Sequence, residues 1–173
     1  TVKNCQFVNN TSTANAGAIR AEVLTVVSST FQGNTASGNG GAIFISSSSS
    51  QALKILDDKT IFSGNIASKG GAIYISKNTG AILSGCSFVG NQATYEGGAI
   101  YNLGSLVAEG VSFSKNICTS EEDSRGGTIF SQGNLSLSDI ENFVGDNTKT
   151  IAYGGAIYLT SESLTKYSFY INN

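Results

Sequence analysis

Phe62-Ser63-Gly64-Asn65, followed after four residues by Gly70-Gly71-Ala72-Ile73, is one copy of a motif pair that recurs along the 173-residue chain. The first motif returns from Phe7 to Asn10, Phe31 to Asn34, Phe88 to Asn91, Phe113 to Asn116 and Phe169 to Asn172, with Phe143 to Asp146 as a variant. The second returns at 40–43, 97–100 and 154–157, with imperfect copies Ala16-Gly17-Ala18-Ile19 and Gly126-Gly127-Thr128-Ile129. Successive motif Phe residues lie 24 to 31 positions apart, a period that signals a solenoid.

The content of each copy selects the type of solenoid. No copy offers apolar residues spaced three and four apart over ten positions; each consists of short β-rich runs broken by Gly, Asn and Ser, so the repeat is built of strands. About 27 residues accommodate three short strands and three turns, one rung of a right-handed parallel β-helix. The expected fold is all-β, a β-solenoid of six to seven coils. One strand holds Gly-Ala-Ile-aromatic, a second an aliphatic pair such as Leu53 and Ile55, and the third the Phe. Residues 1–173 read as a single β-helix segment. The missing initiator Met and the ends that fall inside the repeat suggest an internal piece of a longer protein.

Stacking explains the residue types. In a parallel coil every repeat position lies over its counterpart about 4.8 Å away, so like side chains form ladders. Phe would build an aromatic stack at seven levels and Ile an aliphatic one at six. Asn is expected to turn inward at a bend and bond both backbone and the next Asn, a role Asp146 cannot fill as a donor, so that rung would lean on Asn147. The paired glycines supply positive φ or close backbone approach. Ala16 marks the leading position as the less demanding.

The position after Ile reads Arg20, Phe44, Tyr74, Tyr101, Phe130 and Tyr158. By the period of two, inward Ile turns these six outward, an exposed stripe that either packs under a neighbouring loop or forms a partner-contact surface. The other variable features are the insertions Ser46 to Ser50 and Cys118 to Arg125, the second carrying Glu121, Glu122 and Asp123. Surface loops are where such variation belongs.

Charge and chemistry narrow the function. The net charge is −2, with 10 Lys and Arg spread singly, so no nucleic-acid partner is expected. Without a His there is no Ser-His-Asp or Cys-His catalysis. The carboxylates Asp57, Asp58, Glu121, Glu122, Asp123, Glu141 and Asp146 fall at different repeat positions, and no cofactor or metal is called for. Cys5, Cys86 and Cys118 lie in different copies; Cys118 fills the slot held elsewhere by Ser12, Ala36, Ala67, Ala93 and Thr148, and all three read as structural thiols. Asn9, Asn10 and Asn134 head N-x-Ser/Thr sequons. No apolar run is long enough to span a bilayer.

Phe-x-x-Asn alternating with Gly-Gly-Ala-Ile resembles the repeat of the chlamydial polymorphic membrane proteins; similar repeats occur in surface proteins of other bacteria and of protists. The resemblance implies a β-helical autotransporter passenger displayed on the outer membrane, at the cell surface, and acting as an adhesin, with membrane attachment only through parts outside this sequence. It implies no catalytic residues. Expected partners are a protein receptor or neighbouring repeats, and a glycan is a further candidate. The alternatives are a structural spacer or filament segment and, more remotely, a carbohydrate-active enzyme.

Overall fold

The computed structural model describes residues 1–146, 152–160 and 167–170. Its strands wind in parallel coils, each coil pairing with the one below and above. The third coil shows the plan, with strands Leu53–Leu56, Ile61–Ser63, Ile66–Lys69 and Ile73–Ile75. Among the described residues the first strand of each coil contributes to a seven-stranded aliphatic sheet and the last to a six-stranded Ile sheet. The Phe strand and the strand after the Asn bend share the third sheet. They are separate in most coils and fuse into one strand at Ser112–Cys118.

Register places each motif residue over its counterpart. Phe7, Phe31, Phe62, Phe88 and Phe113 are successive partners, as are Ile19, Ile43, Ile73, Ile100, Ile129 and Ile157. The Phe rings stack with centroids 4.8 Å apart at the first three steps and 5.1 Å at the last. Phe31, Phe62, Phe88 and Phe113 are fully buried, as are Ile43, Ile73, Ile100 and Ile129. Each such side chain contributes about 1.5 to 3 kcal/mol before ordering costs.

Two expected rungs depart from this plan. Tyr167–Tyr170 pairs with Asn134–Ser138, setting Phe169 opposite Leu137 in the aliphatic sheet; it is no seventh level of the Phe ladder, and Asn172 lies outside the described residues. The strand Glu141–Asp146 meets Ser112–Cys118 with irregular register on both sides of Val144. Gly145 therefore faces Asn116, and Asp146 faces Ile117 rather than standing in for the ladder Asn. Asn147 and Thr148 lie outside the described residues.

The asparagines saturate one another. Asn34 Nδ2 donates to Asn65 Oδ1 at 2.9 Å, Asn65 to Asn91 at 2.8 Å and Asn91 to Asn116 at 3.0 Å. The other N–H of each amide goes down to a Phe carbonyl: Asn34 to Phe7, Asn65 to Phe31, Asn91 to Phe62 and Asn116 to Phe88. Each Oδ1 from Asn34 to Asn116 also accepts the backbone N–H of the Asn below, at 3.0 to 3.1 Å. An otherwise costly buried amide thus meets two donors and two acceptors.

The two corner glycines answer different demands. The leading position has positive φ in every copy, from Gly40 at 69° to Ala16 at 62°, and a Cβ on Gly40, Gly70 or Gly97 would lie 2.2 to 2.3 Å from the carbonyl oxygen of the Ile three residues on, so Ala16 in the first coil is the exception to a position that otherwise requires glycine. The second position has no room: a Cβ on Gly41, Gly71 or Gly98 would lie 2.0 to 2.1 Å from the carbonyl oxygen of the next coil. Asp57 likewise serves a turn. Partial burial acts to raise its carboxyl, but hydrogen bonds from the Thr60 hydroxyl and the backbone of Lys59, Ser28 and Thr60 outweigh it and hold the group below its usual range.

Gly71→Ala should lower unfolding free energy by about 3 kcal/mol or more, because backbone cannot yield. Gly90→Ala, at φ 62° with nothing within 4 Å of the added carbon, should cost about 1 kcal/mol; urea unfolding compares them. Asn91→Asp removes both donors from a buried rung and faces a carboxylate with Asn116 Oδ1. A loss of about 3 kcal/mol is expected by the same measurement, and markedly less for Asn10→Asp at the exposed first rung.

Candidate functional site

The residues after Ile form a second ladder on the outer surface of the Ile sheet. Ile43, Ile73, Ile100 and Ile129 belong to the interior cluster, whereas Phe44, Tyr74, Tyr101 and Phe130 do not, as alternation along a strand requires. Their rings stack: Phe44 on Tyr74 at 4.9 Å, Tyr74 on Tyr101 at 5.0 Å, Tyr101 on Phe130 at 4.7 Å and Phe130 on Tyr158 at 5.6 Å. Arg20 caps the lower end, its guanidinium 5.7 Å from the Phe44 centroid, within cation–π range.

This ladder is much less exposed than the sequence pattern leads one to expect. Phe44, Tyr101 and Phe130 are buried at 9%, 6% and 3% exposure, Tyr74 and Tyr158 are half-buried, and only Arg20 is exposed. The cause is mutual cover, since each ring hides the faces of its neighbours, together with cover from the flank. Lys69 Nζ lies 5.2 Å from the Tyr101 centroid and the Arg125 guanidinium 5.7 Å from that of Tyr158. Burial, with Tyr101 adding and Lys69 opposing, raises the Tyr74 phenol above its ordinary value, so it stays neutral.

The flanking charges form a third ladder, immediately before the paired glycines. Lys69 is in register with Glu96, and Glu96 with Arg125. Glu96 is buried between the two cations: Oε2 is ion-paired with the Lys69 ammonium, without a hydrogen bond of good geometry, and Oε1 accepts from Arg125 Nη1 at 3.3 Å. Arg125 Nη2 also meets the Asp123 carboxylate. Lys69 and Glu96 are the residues sequence reasoning missed. Their signal was the alternation Lys69, Glu96, Arg125 directly before Gly-Gly in three successive copies.

Both insertions are anchored at their bases. Thr79 Oγ1 donates to the Ser47 carbonyl at 2.7 Å and accepts from the Ser47 N–H at 2.8 Å. Ser124 Oγ donates to the Ser120 carbonyl at 2.7 Å, closing a loop whose exposed Glu121, Glu122 and Asp123 line an open cleft with Tyr95 and Ser120. Among the described residues no three His, Cys, Asp or Glu are grouped as a metal would need. Cys118 lies opposite Ala93, with Sγ donating to the Gly126 carbonyl. Burial pushes the Cys118 and Cys86 thiols up to about 12, so neither is a nucleophile. The sequon residues Asn9, Asn10 and Asn134 are exposed, although Asn10 is also the first rung of the amide ladder.

Comparison with known proteins shows what the chain is similar to. The Chlamydia polymorphic membrane protein repeat matches residues 28–46, 59–76 and 85–103. Similar along most of the chain are three proteins named probable outer membrane proteins. These are pmp6 of Chlamydia pneumoniae, 35% identical over 164 residues covering 91% of this chain and 12% of that protein; PmpD of Chlamydia trachomatis serovar D, 33% identical over 145 residues, 76% and 9%; and pmp20 of Chlamydia pneumoniae, 31% identical over 159 residues, 91% and 8%. The chain spans about a tenth of the length of these curated relatives. No solved structure matches.

Two outcomes check this description. Glu96→Gln keeps the shape but removes the charge between two partly exposed cations, and should cost about 1 kcal/mol with a smaller dependence of stability on salt. An alkylating reagent should modify Cys5, the exposed thiol, in the native protein and reach Cys86 and Cys118 only in denaturant; mass spectrometry counts the adducts.

Proposed function

We propose that this chain, which carries Chlamydia polymorphic membrane protein repeats, is a surface-displayed, non-catalytic passenger segment that attaches to a protein receptor on another cell. The observation that carries the reading is the similarity along 91% of the chain to a protein named as an outer membrane protein. The placement of residues supports it. The recurrent Phe, Asn, Gly and Ile are consumed by the scaffold, and no set of acid, base and nucleophile converges among the described residues.

The contact surface in this reading is the outer ladder at its accessible points, Arg20, Tyr74 and Tyr158, with the charged row beside it. Phe44, Tyr101 and Phe130 support those points from within. Aromatic surfaces hold sugars by stacking on open ring faces, and here most faces are already taken by neighbouring rings. A protein partner meeting ring edges, hydroxyls and cations therefore fits better than a glycan.

Beads coated with the folded 173-residue chain should bind cultured epithelial cells saturably and be displaced by soluble chain. Tyr74→Ser with Arg20→Ser should lower binding about tenfold while circular dichroism stays unchanged. Folded protein without binding above an unrelated β-helix would favour the spacer reading, and binding untouched by the double substitution would remove the outer ladder as the contact.

A further inference from the structure

We propose that the outer face of the aliphatic sheet is a pairing surface for a second copy of this chain, the two solenoids lying side by side with their axes antiparallel. This face belongs to a different sheet from the outer ring ladder, and the pairing does not depend on the receptor reading.

Three successive strands, Leu53–Leu56, Gly80–Ser84 and Ser105–Glu109, form the middle of the face. Leu53, Ile55, Ala81, Leu83, Leu106 and Ala108 point into the core cluster, so alternation turns Lys54, Leu56, Ile82, Ser84, Val107 and Glu109 outward. Leu56 is 60% exposed and Val107 41%, with half-buried Ile82 in register beneath Val107. Lys54 lies one rung below Ile82, and Ser84 stands between Leu56 and Glu109. Adjoining aliphatic side chains in three coils thus share one surface, with a cation at one corner and a carboxylate at the opposite corner. Among the described residues neither Lys54 nor Glu109 has an ion-pair partner in its own chain.

Charge selects the occupant and its direction. Residues 1–91 carry six Lys and Arg against three Asp and Glu, whereas residues 92–146 carry two against eight. The coils stack in chain order, so the solenoid is positive in its lower part and negative above. Copies aligned in the same direction bring like charges together, and antiparallel copies bring each positive part to a negative one. A two-fold axis along the strands at Gly80–Ser84 sets the third coil of each copy over the fifth of the other. Ile82 then meets its own counterpart. Lys54 stands two residues along the strand from the partner's Glu109, about 7 Å, which a lysine side chain spans, and symmetry makes the contact twice. Five coils of this face measure about 24 Å by about 14 Å, small for a specific interface, so a dissociation constant of about 50 µM is expected.

Sedimentation equilibrium of the whole 173-residue chain between about 5 and about 500 µM tests this, with circular dichroism confirming that each variant is folded. The chain should show a monomer–dimer equilibrium. Lys54→Glu or Glu109→Lys alone should weaken pairing at least about tenfold, and the two together should restore it to within about threefold. The single reversals move the net charge in opposite directions, so a loss from both is no effect of overall charge. Ile82→Lys should leave the chain monomeric throughout. A native chain that stays monomeric overturns the proposal, as does a dimer that tolerates Ile82→Lys or either single reversal, or a loss that the double reversal does not restore.

Discussion

The spacing of about 4.8 Å between parallel strands is the constraint on which the rest of this molecule depends. A stacked pair of aromatic rings sits comfortably at that distance, as the Phe ladder does at 4.8 Å. A side-chain amide on a strand bend also spans it with one hydrogen bond and has one N–H left for backbone, which Asn65 gives to Phe31 and Asn91 gives to Phe62. Shorter polar side chains lack the second donor, and a carboxylate lacks both. The same spacing makes the backbone its own steric limit: the second corner glycine touches the next coil so closely that no Cβ fits.

Repetition is why so much of this was legible. Phe, Asn, the glycines and Ile each hold one position in register, so spacing alone identified the inner ladders, the parallel coil and the corner. What escaped were properties that depend on a neighbour rather than on a position. Phe143 and Phe169 match the motif by spacing, yet Glu141 pairs with Ser112 and Val144 with Ser114, one extra residue between them, and Phe169 pairs with Leu137. A motif fixes what a residue can do on a rung, whereas pairing with the coil below decides which rung position it reaches.

Exposure of the outer ladder was illegible for a related reason. Alternation gave its direction correctly, outward from the Ile interior, but direction is not accessibility. A column of like rings at strand spacing covers its own faces, and the residue before each Gly-Gly pair, charged in three consecutive coils, closes the flank. Lys69, Glu96 and Arg125 looked like isolated charges along the chain. They become a row only once the coil stacks them, and the burial of Glu96 makes sense only with a cation above and below it.

The division between scaffold and surface has a consequence for recognition. Residues that satisfy the interior are barred from varying by packing and hydrogen bonding, so they carry no information about a partner. Under the proposed adhesin reading, selectivity lies in positions the spacing leaves free: the outward column that changes from Arg20 to Phe44 to Tyr74, the charge before the corner, and the loops anchored by Thr79 and Ser124. Each is fixed at its base by the coil, and among the exposed tips are those of Arg20 and of the acidic loop at Glu121 to Asp123. Under the same reading, the accessible points Arg20, Tyr74 and Tyr158 stand at whole multiples of the rung spacing. Each contact is weak in a high-dielectric rim, and their sum depends on a partner whose own groups match the rung spacing.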